Sequence, residues 1–142
     1  MIALHRALDL HHVLHLGTNG DGGAHVAALF YLRLPGEGME GARLAWISTR
    51  DVLHSRHLLL DPRAAASISA STPAIGAIEG IQLRGQAGIA EDQAAIRAAY
   101  IARFPESAAW IESSPAHVFW VLRPSWARLI ETVEGRPART EW

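Results

Sequence analysis

The stretch that decides the fold is Val13-Leu14-His15-Leu16-Gly17-Thr18, then Asn19-Gly20-Asp21-Gly22-Gly23, then the apolar run Ala24–Leu34. Asn, Asp and Gly tolerate the positive φ angles of tight turns, so five such residues in a row between two apolar runs predict a β-hairpin. The same Asn19–Gly23 cluster excludes a dinucleotide loop, because a strand follows it and not a helix.

Outward from the hairpin, Leu4, Ala7 and Leu8 predict a short amphipathic helix over Ile2–Leu10. Downstream, Pro35-Gly36-Glu37-Gly38 is a turn, and Arg43–Thr49 reads as a strand. A helix follows with Leu53, His57 and Leu60 expected on one face, stopped by Asp61-Pro62. Ala64–Ser71 and Ala77–Ala90 read as strands, the second kinked at Gly80, Gly85 and Gly88. Glu91-Asp92 opens the clearest helix, with Ile96, Tyr100 and Phe104 at i, i+4 and i+8 and Pro105 as its stop. Glu106–Ser114 reads as a connection. Val118–Leu122 and Ala127–Val133 read as two strands hinged at Pro124-Ser125, with Glu134–Trp142 a loose tail.

Consecutive hairpins favour an antiparallel sheet that closes on itself. The expectation is a mainly β protein, a six- to seven-stranded antiparallel barrel with peripheral helices. Its 142 residues form one expected domain, 1–142, since domains commonly run to about 100–150 residues.

Composition sets limits on chemistry. Cysteine is absent, which excludes disulfides, thiolate metal sites and cysteine nucleophiles. All 13 basic residues are arginine, so no lysine can form a Schiff base or serve a P-loop. With 14 acids and a net charge of −1, no positive field is available for nucleic acid or an anionic membrane. No apolar run approaches the roughly 20 residues of a membrane span, and the N-terminus is broken by charges. The expected location is cytoplasmic.

Ser48-Thr49-Arg50-Asp51-Val52-Leu53-His54-Ser55-Arg56-His57 places two hydroxyls at a strand end and an arginine with two histidines in the next helix. A helix N-terminus offers unpaired N–H groups to a phosphate. Arg56 would add paired donors, and Ser55 or Thr49 a hydroxyl. The plain alternative is helix capping by Ser48, Thr49 or Asp51. His54 and His57, or His11, His12 and His15, lack the carboxylate of a convincing metal set, so no metal is expected. Trp46, Trp110, Trp120, Trp126 and Trp142 suit a core or an interface.

The order of these pieces resembles the pyridoxamine 5′-phosphate oxidase-like FMN-binding split barrels, and more narrowly a small bacterial branch of them. The residues that carry it are Asn19–Gly22, Trp46–Thr49, Asp61-Pro62-Arg63-Ala64-Ala65 and Gly80–Gly85, with Ala28–Leu32 and Ala99–Pro105 for the branch. The resemblance implies a homodimer with FMN in a groove at the subunit interface, and FMN-dependent oxidation or reduction of an unassigned substrate. It puts the phosphate at the strand end and following helix start, where Thr49 falls on the family's strand-end threonine, the same place that the local reading of Ser48, His54, Ser55, Arg56 and His57 points to. Arg56, His57 or Arg84 would compensate for missing cations, and the ring is expected along Ala28, Leu29 and Phe30. His54 falls where the oxidases carry a lysine. Where they have an arginine early in the second strand and a lysine at its end, this chain reads Ala27 and Leu32, so oxidation of pyridoxamine phosphate is not expected. No catalytic side chain is assigned. The alternatives are a dimeric module for another flat ligand such as haem, with His54 or His57 as axial candidates, and a scaffold dimer with an empty groove.

Overall fold

A computed structural model describes residues 1–71 and 74–142. The elements run α1 Ile2–Leu10, β1 Val13–Gly20, β2 Gly23–Phe30, β3 Leu32–Arg33, β4 Leu44–Ser48, α2 Leu53–Leu60, β5 Arg63–Ser69, β6 Gly80–Ile89, α3 Gln93–Arg103, α4 Ser107–Glu112, β7 Val118–Val133 and β8 Arg136–Glu141. The expected hairpin is β1–β2, whose ladder runs from Val13 opposite Phe30 to Gly20 opposite Gly23. Gly22 and Gly23 turn it at φ 91° and 105°, angles that side chains disfavour.

Eight strands form one antiparallel sheet in the order β2-β1-β5-β6-β7-β4-β3, with β8 beside β7. The sheet curls into the expected split barrel. Leu14 and Leu16 of β1, Ala66 and Ile68 of β5, Ile81 and Leu83 of β6, and Leu122 and Leu129 of β7 fill its interior. Leu4 and Leu8 of α1 join the same core. Trp46 and Trp120 sit opposite each other on β4 and β7, both 0% exposed. Cutting either back to Ala typically costs about 3–5 kcal/mol. A second core lies outside the barrel, where Ile96, Tyr100 and Phe104 of α3 and Ile111 of α4 cover Ile47 and Val121. All five residues of β4 are therefore buried.

Four local expectations change. The predicted two C-terminal strands are one, β7, which continues through Pro124. The ladder to β6 shifts register between Arg84 and Gly85, leaving Ser125 as the extra residue. A side chain at Gly85 would lie 2.0 Å from the Arg123 carbonyl oxygen, so only glycine admits the proline-bearing strand so closely. The tail is not loose: Glu134 and Gly135 turn at φ 50° and 74°, β8 pairs back on β7, and Trp142 exchanges two backbone hydrogen bonds with Ala127. The connection after Pro105 contains α4. Finally, α2 buries His54, Ser55, His57 and Leu58, whereas Leu53 and Leu60 are 39% and 84% exposed. Polar groups on that face find partners inside, so the apolar positions need not mark it.

Candidate functional site

The strand-to-helix junction turns most of its polar groups inward. His54 Nε2 and the Ser48 hydroxyl are 3.1 Å apart, and the Ser55 hydroxyl donates to Ser48 Oγ at 3.5 Å. Trp120 Nε1 donates to the Ser48 carbonyl. His57 Nδ1 meets the Thr18 hydroxyl at 3.0 Å, while its buried Nε2 has no hydrogen-bond partner among the described residues. The His57 ring occupies the space a side chain on Gly20 would need, since a Cβ there would fall 2.3 Å from Cδ2. Ser48, His54, Ser55 and His57 are all under 9% exposed.

Burial, with His25 and His57 nearby, holds the His54 imidazole below its ordinary pKa of 6.5. It is therefore neutral at pH 7 and supplies no charge to an anion. Thr49 donates to Asp51 at 2.6 Å, a bond that keeps the Asp51 carboxyl more acidic than usual. No side chain caps α2, so neither Ser48, Thr49 nor Asp51 has the capping role. Of the expected phosphate contacts at this junction, Arg56 alone is exposed, and its side chain has no hydrogen bond or ion pair among the described residues.

The expected ring contacts divide between two faces. Side chains alternate along a strand, so Leu29 turns toward the core while Ala28 and Phe30 join Val26 on the outer face of β2. Across the sheet this face reads in register Val26, Gly17, Ala65, Arg84, Trp126. Its middle members are the two smallest. With large groups at both ends and almost nothing between, the row forms the floor of an open trough of about 730 Å³. An adjoining hollow of about 420 Å³ shares all five residues and adds His15, Ser67 and Gln82. Val26 and Arg84 lie three strand spacings apart, about 14 Å along the sheet.

Arg84 stacks on Trp126, its guanidinium carbon 4.2 Å from the ring centroid. Arg128 lies on the same indole at 5.0 Å but is committed to Glu141 through a 2.8 Å bond. Arg63, also in the trough, is committed to Asp61 and holds that carboxyl down to a pKa of about 2. Arg84 has no carboxylate partner among the described residues. It forms no ion pair beside the apolar floor, although, after the larger effect of Arg128, its charge helps hold the Glu141 carboxyl below its ordinary pKa. Thr18 and His25 also line the trough, and the Thr18 hydroxyl turns away from it to His57 Nδ1.

Solved structures match this architecture over nearly the whole chain. A haem-binding protein from Mycobacterium smegmatis aligns at 25% identity and TM-score 0.77, over 96% of this chain and 55% of that one. A candidate pyridoxamine 5′-phosphate oxidase from Listeria innocua aligns at 18% identity and TM-score 0.69, over 90% and 93%. An FAD-binding protein from Mesorhizobium loti aligns at 16% identity and TM-score 0.67, over 89% and 88%. The chain has the pyridoxamine 5′-phosphate oxidase-like split-barrel fold. No family model and no curated protein matches its sequence. Split barrels of this kind thus include flavin-binding and haem-binding proteins.

Of the sequence-predicted site residues, this split barrel places Arg84 in the trough, Ala28 and Phe30 on the same outer face, and Ser48 to His57 around the junction behind it. Sequence reasoning missed Gly17, Val26, Ala65 and Trp126. The available signal was small residues at outward positions of neighbouring strands. Among the described residues no group of three or more potential ligands is arranged to hold a metal, and no helix is long and apolar enough to cross a membrane.

Proposed function

We propose that this split barrel binds FMN in the outer trough and acts as a flavin-dependent oxidoreductase, with a second copy of the chain closing the site. The observation that carries the reading is the row Val26, Gly17, Ala65, Arg84, Trp126. A flat ring needs a floor without side chains, and Gly17 and Ala65 supply one. An anionic tail needs an uncommitted cation at its edge, and Arg84 is that cation. A charge-assisted contact of this kind contributes about 1.5–3 kcal/mol.

When bound, the flavin supplies hydride transfer, and the protein's share is position and electrostatics. Val26 and Trp126 bound the ring laterally, Arg84 fixes the phosphate, and Gln86 lines the trough on the same strand as Arg84. The oxidoreductase reading rests on that cofactor. Closure by a second copy follows from exposed apolar surface: Val26 and Phe30 of the outer face are 64% and 57% exposed. An isologous contact would cover both and shield the ring from water. Quenching of flavin fluorescence on titration, weakened in Arg84→Gln and not in Arg56→Gln, is the result that supports this site. Equal weakening in Arg56→Gln alone moves the phosphate back to the α2 junction.

One observation favours haem as the second reading. His15 is exposed on the same face, between Ala28 and Ser67, and lines the smaller hollow. It is better placed as an axial ligand than His54 or His57, which are buried. A Soret band lost in His15→Ala is its test.

A further inference from the structure

A second cavity, of about 530 Å³, lies on the opposite side of the sheet's β4–β7 region, under the N-terminal turn of α3. Three elements build it. The first turn of α3 gives Ala94 and Arg97, three residues apart on one face. The last turn of α4 gives Ile111 and Glu112, and the entry to β7 gives His117, just before the strand, and Phe119 within it. Ile111 and Phe119 are 5% and 2% exposed, so the deep wall is apolar.

The rim is charged, with both signs. Arg97 and Glu112 are exposed, line the same cavity and form no ion pair with each other or with any other described residue. Trp110 packs against the His117 ring at 4.3 Å between centroids, tilted at 44°, and the buried His117 Nδ1 has no hydrogen-bond partner among the described residues. The cavity is also preformed. Gln93 donates to the carbonyls of Ala90 and Phe119 at 2.8 and 2.9 Å and accepts from the Phe119 N–H at 2.8 Å, which locks α3 to β7.

We infer that this cavity is a binding site for a small zwitterion with an apolar side chain, an aromatic or branched α-amino acid in free form. Arg97 takes the carboxylate through its paired donors, Glu112 takes the ammonium, and Ile111 and Phe119 receive the side chain. Two unpaired opposite charges over one apolar floor match that ligand and no purely apolar or purely anionic one. The volume lies in the ordinary range for small-molecule sites, about 300–1,000 Å³.

The test is calorimetric titration of the full chain with L-phenylalanine, then with L-phenylalaninamide, which lacks the carboxylate, and N-acetyl-L-phenylalanine, which lacks the ammonium. Both analogues should bind about tenfold or more weakly, as should L-phenylalanine to Arg97→Gln and to Glu112→Gln. Arg97 and Glu112 are exposed, so both variants should fold, and a thermal melt checks this. Arg84→Gln should bind L-phenylalanine unchanged, which separates this site from the trough. Absence of binding at millimolar L-phenylalanine overturns the inference. So does affinity of both analogues equal to that of L-phenylalanine itself, which would leave only an apolar cleft.

Discussion

Arg84 and Trp126 are cross-strand partners on β6 and β7, and the guanidinium carbon of the first lies over the indole of the second, 4.2 Å from its centroid. Such stacking contributes about 0.5–1 kcal/mol at exposed sites and leaves the edge N–H donors of the arginine free. Position is thus fixed by the ring while charge stays available. Replacing Arg84 with Gln should weaken FMN binding by about 1.5–3 kcal/mol, or roughly 10- to 100-fold. Trp126→Ala should also weaken it, since Arg84 then loses its support. Fluorescence titration reads both.

The floor of the trough can be filled without disturbing the fold. A Cβ on Gly17 would meet only the Ala65 carbonyl oxygen, at an ordinary 3.5 Å, and then Ala65 Cβ. Gly17→Val adds a strand-favouring residue at an outward position of β1, so its melting temperature should equal or exceed the wild type. Its FMN affinity should fall at least about tenfold, ~1.4 kcal/mol. A stable Gly17→Val protein that still binds FMN normally would place the ring elsewhere.

Gly20 is a different case. A methyl there would fall 2.3 Å from His57 Cδ2 and 2.7 Å from Nε2, against a ring that is itself buried and tied to Thr18. Gly20→Ala should destabilise by about 1–3 kcal/mol, the usual range for overpacking. In a His57→Ala background the same change should cost far less. A double-mutant cycle by urea unfolding measures the difference.

His54 gives stability a pH dependence with a defined sign. Its folded pKa lies below its ordinary 6.5. Above 6.5 both states are neutral at this residue. As pH falls below 6.5 the unfolded chain takes up a proton that the folded chain refuses, so stability declines until the folded pKa is passed. Carboxylates do not obscure this window, because Asp61, with a pKa of about 2, departs from its ordinary 3.8 only at lower pH. Unfolding free energy should be lower at pH 5.5 than at pH 7.5, and His54→Asn should lessen that loss. An identical loss in the variant would assign the effect to another group.

How much of this was legible in the sequence depends on the range of the cause. The β1–β2 hairpin, α1 and α3 are set by neighbours in the chain: Gly22 and Gly23 at the turn, Leu4 and Leu8 on one face, Ile96, Tyr100 and Phe104 on another. Each was readable. What failed depends on distant partners. Pro124 stays in β7 because Gly85 on another strand makes room for it. The face of α2 follows the hydrogen bonds of His54 to Ser48 and His57 to Thr18, not hydrophobic spacing. The junction residues do lie together, yet most of them bond to one another. The trough was invisible for a similar reason. Gly17 and Ala65 are ordinary small residues until β1 and β5 lie side by side.

The most direct test of FMN binding in the trough is native mass spectrometry of the purified chain mixed with equimolar FMN and haem. Binding in the trough requires a dimer retaining one FMN per chain, and loss of that mass in Gly17→Val. A chain that retains haem and no FMN, or neither ligand, contradicts it.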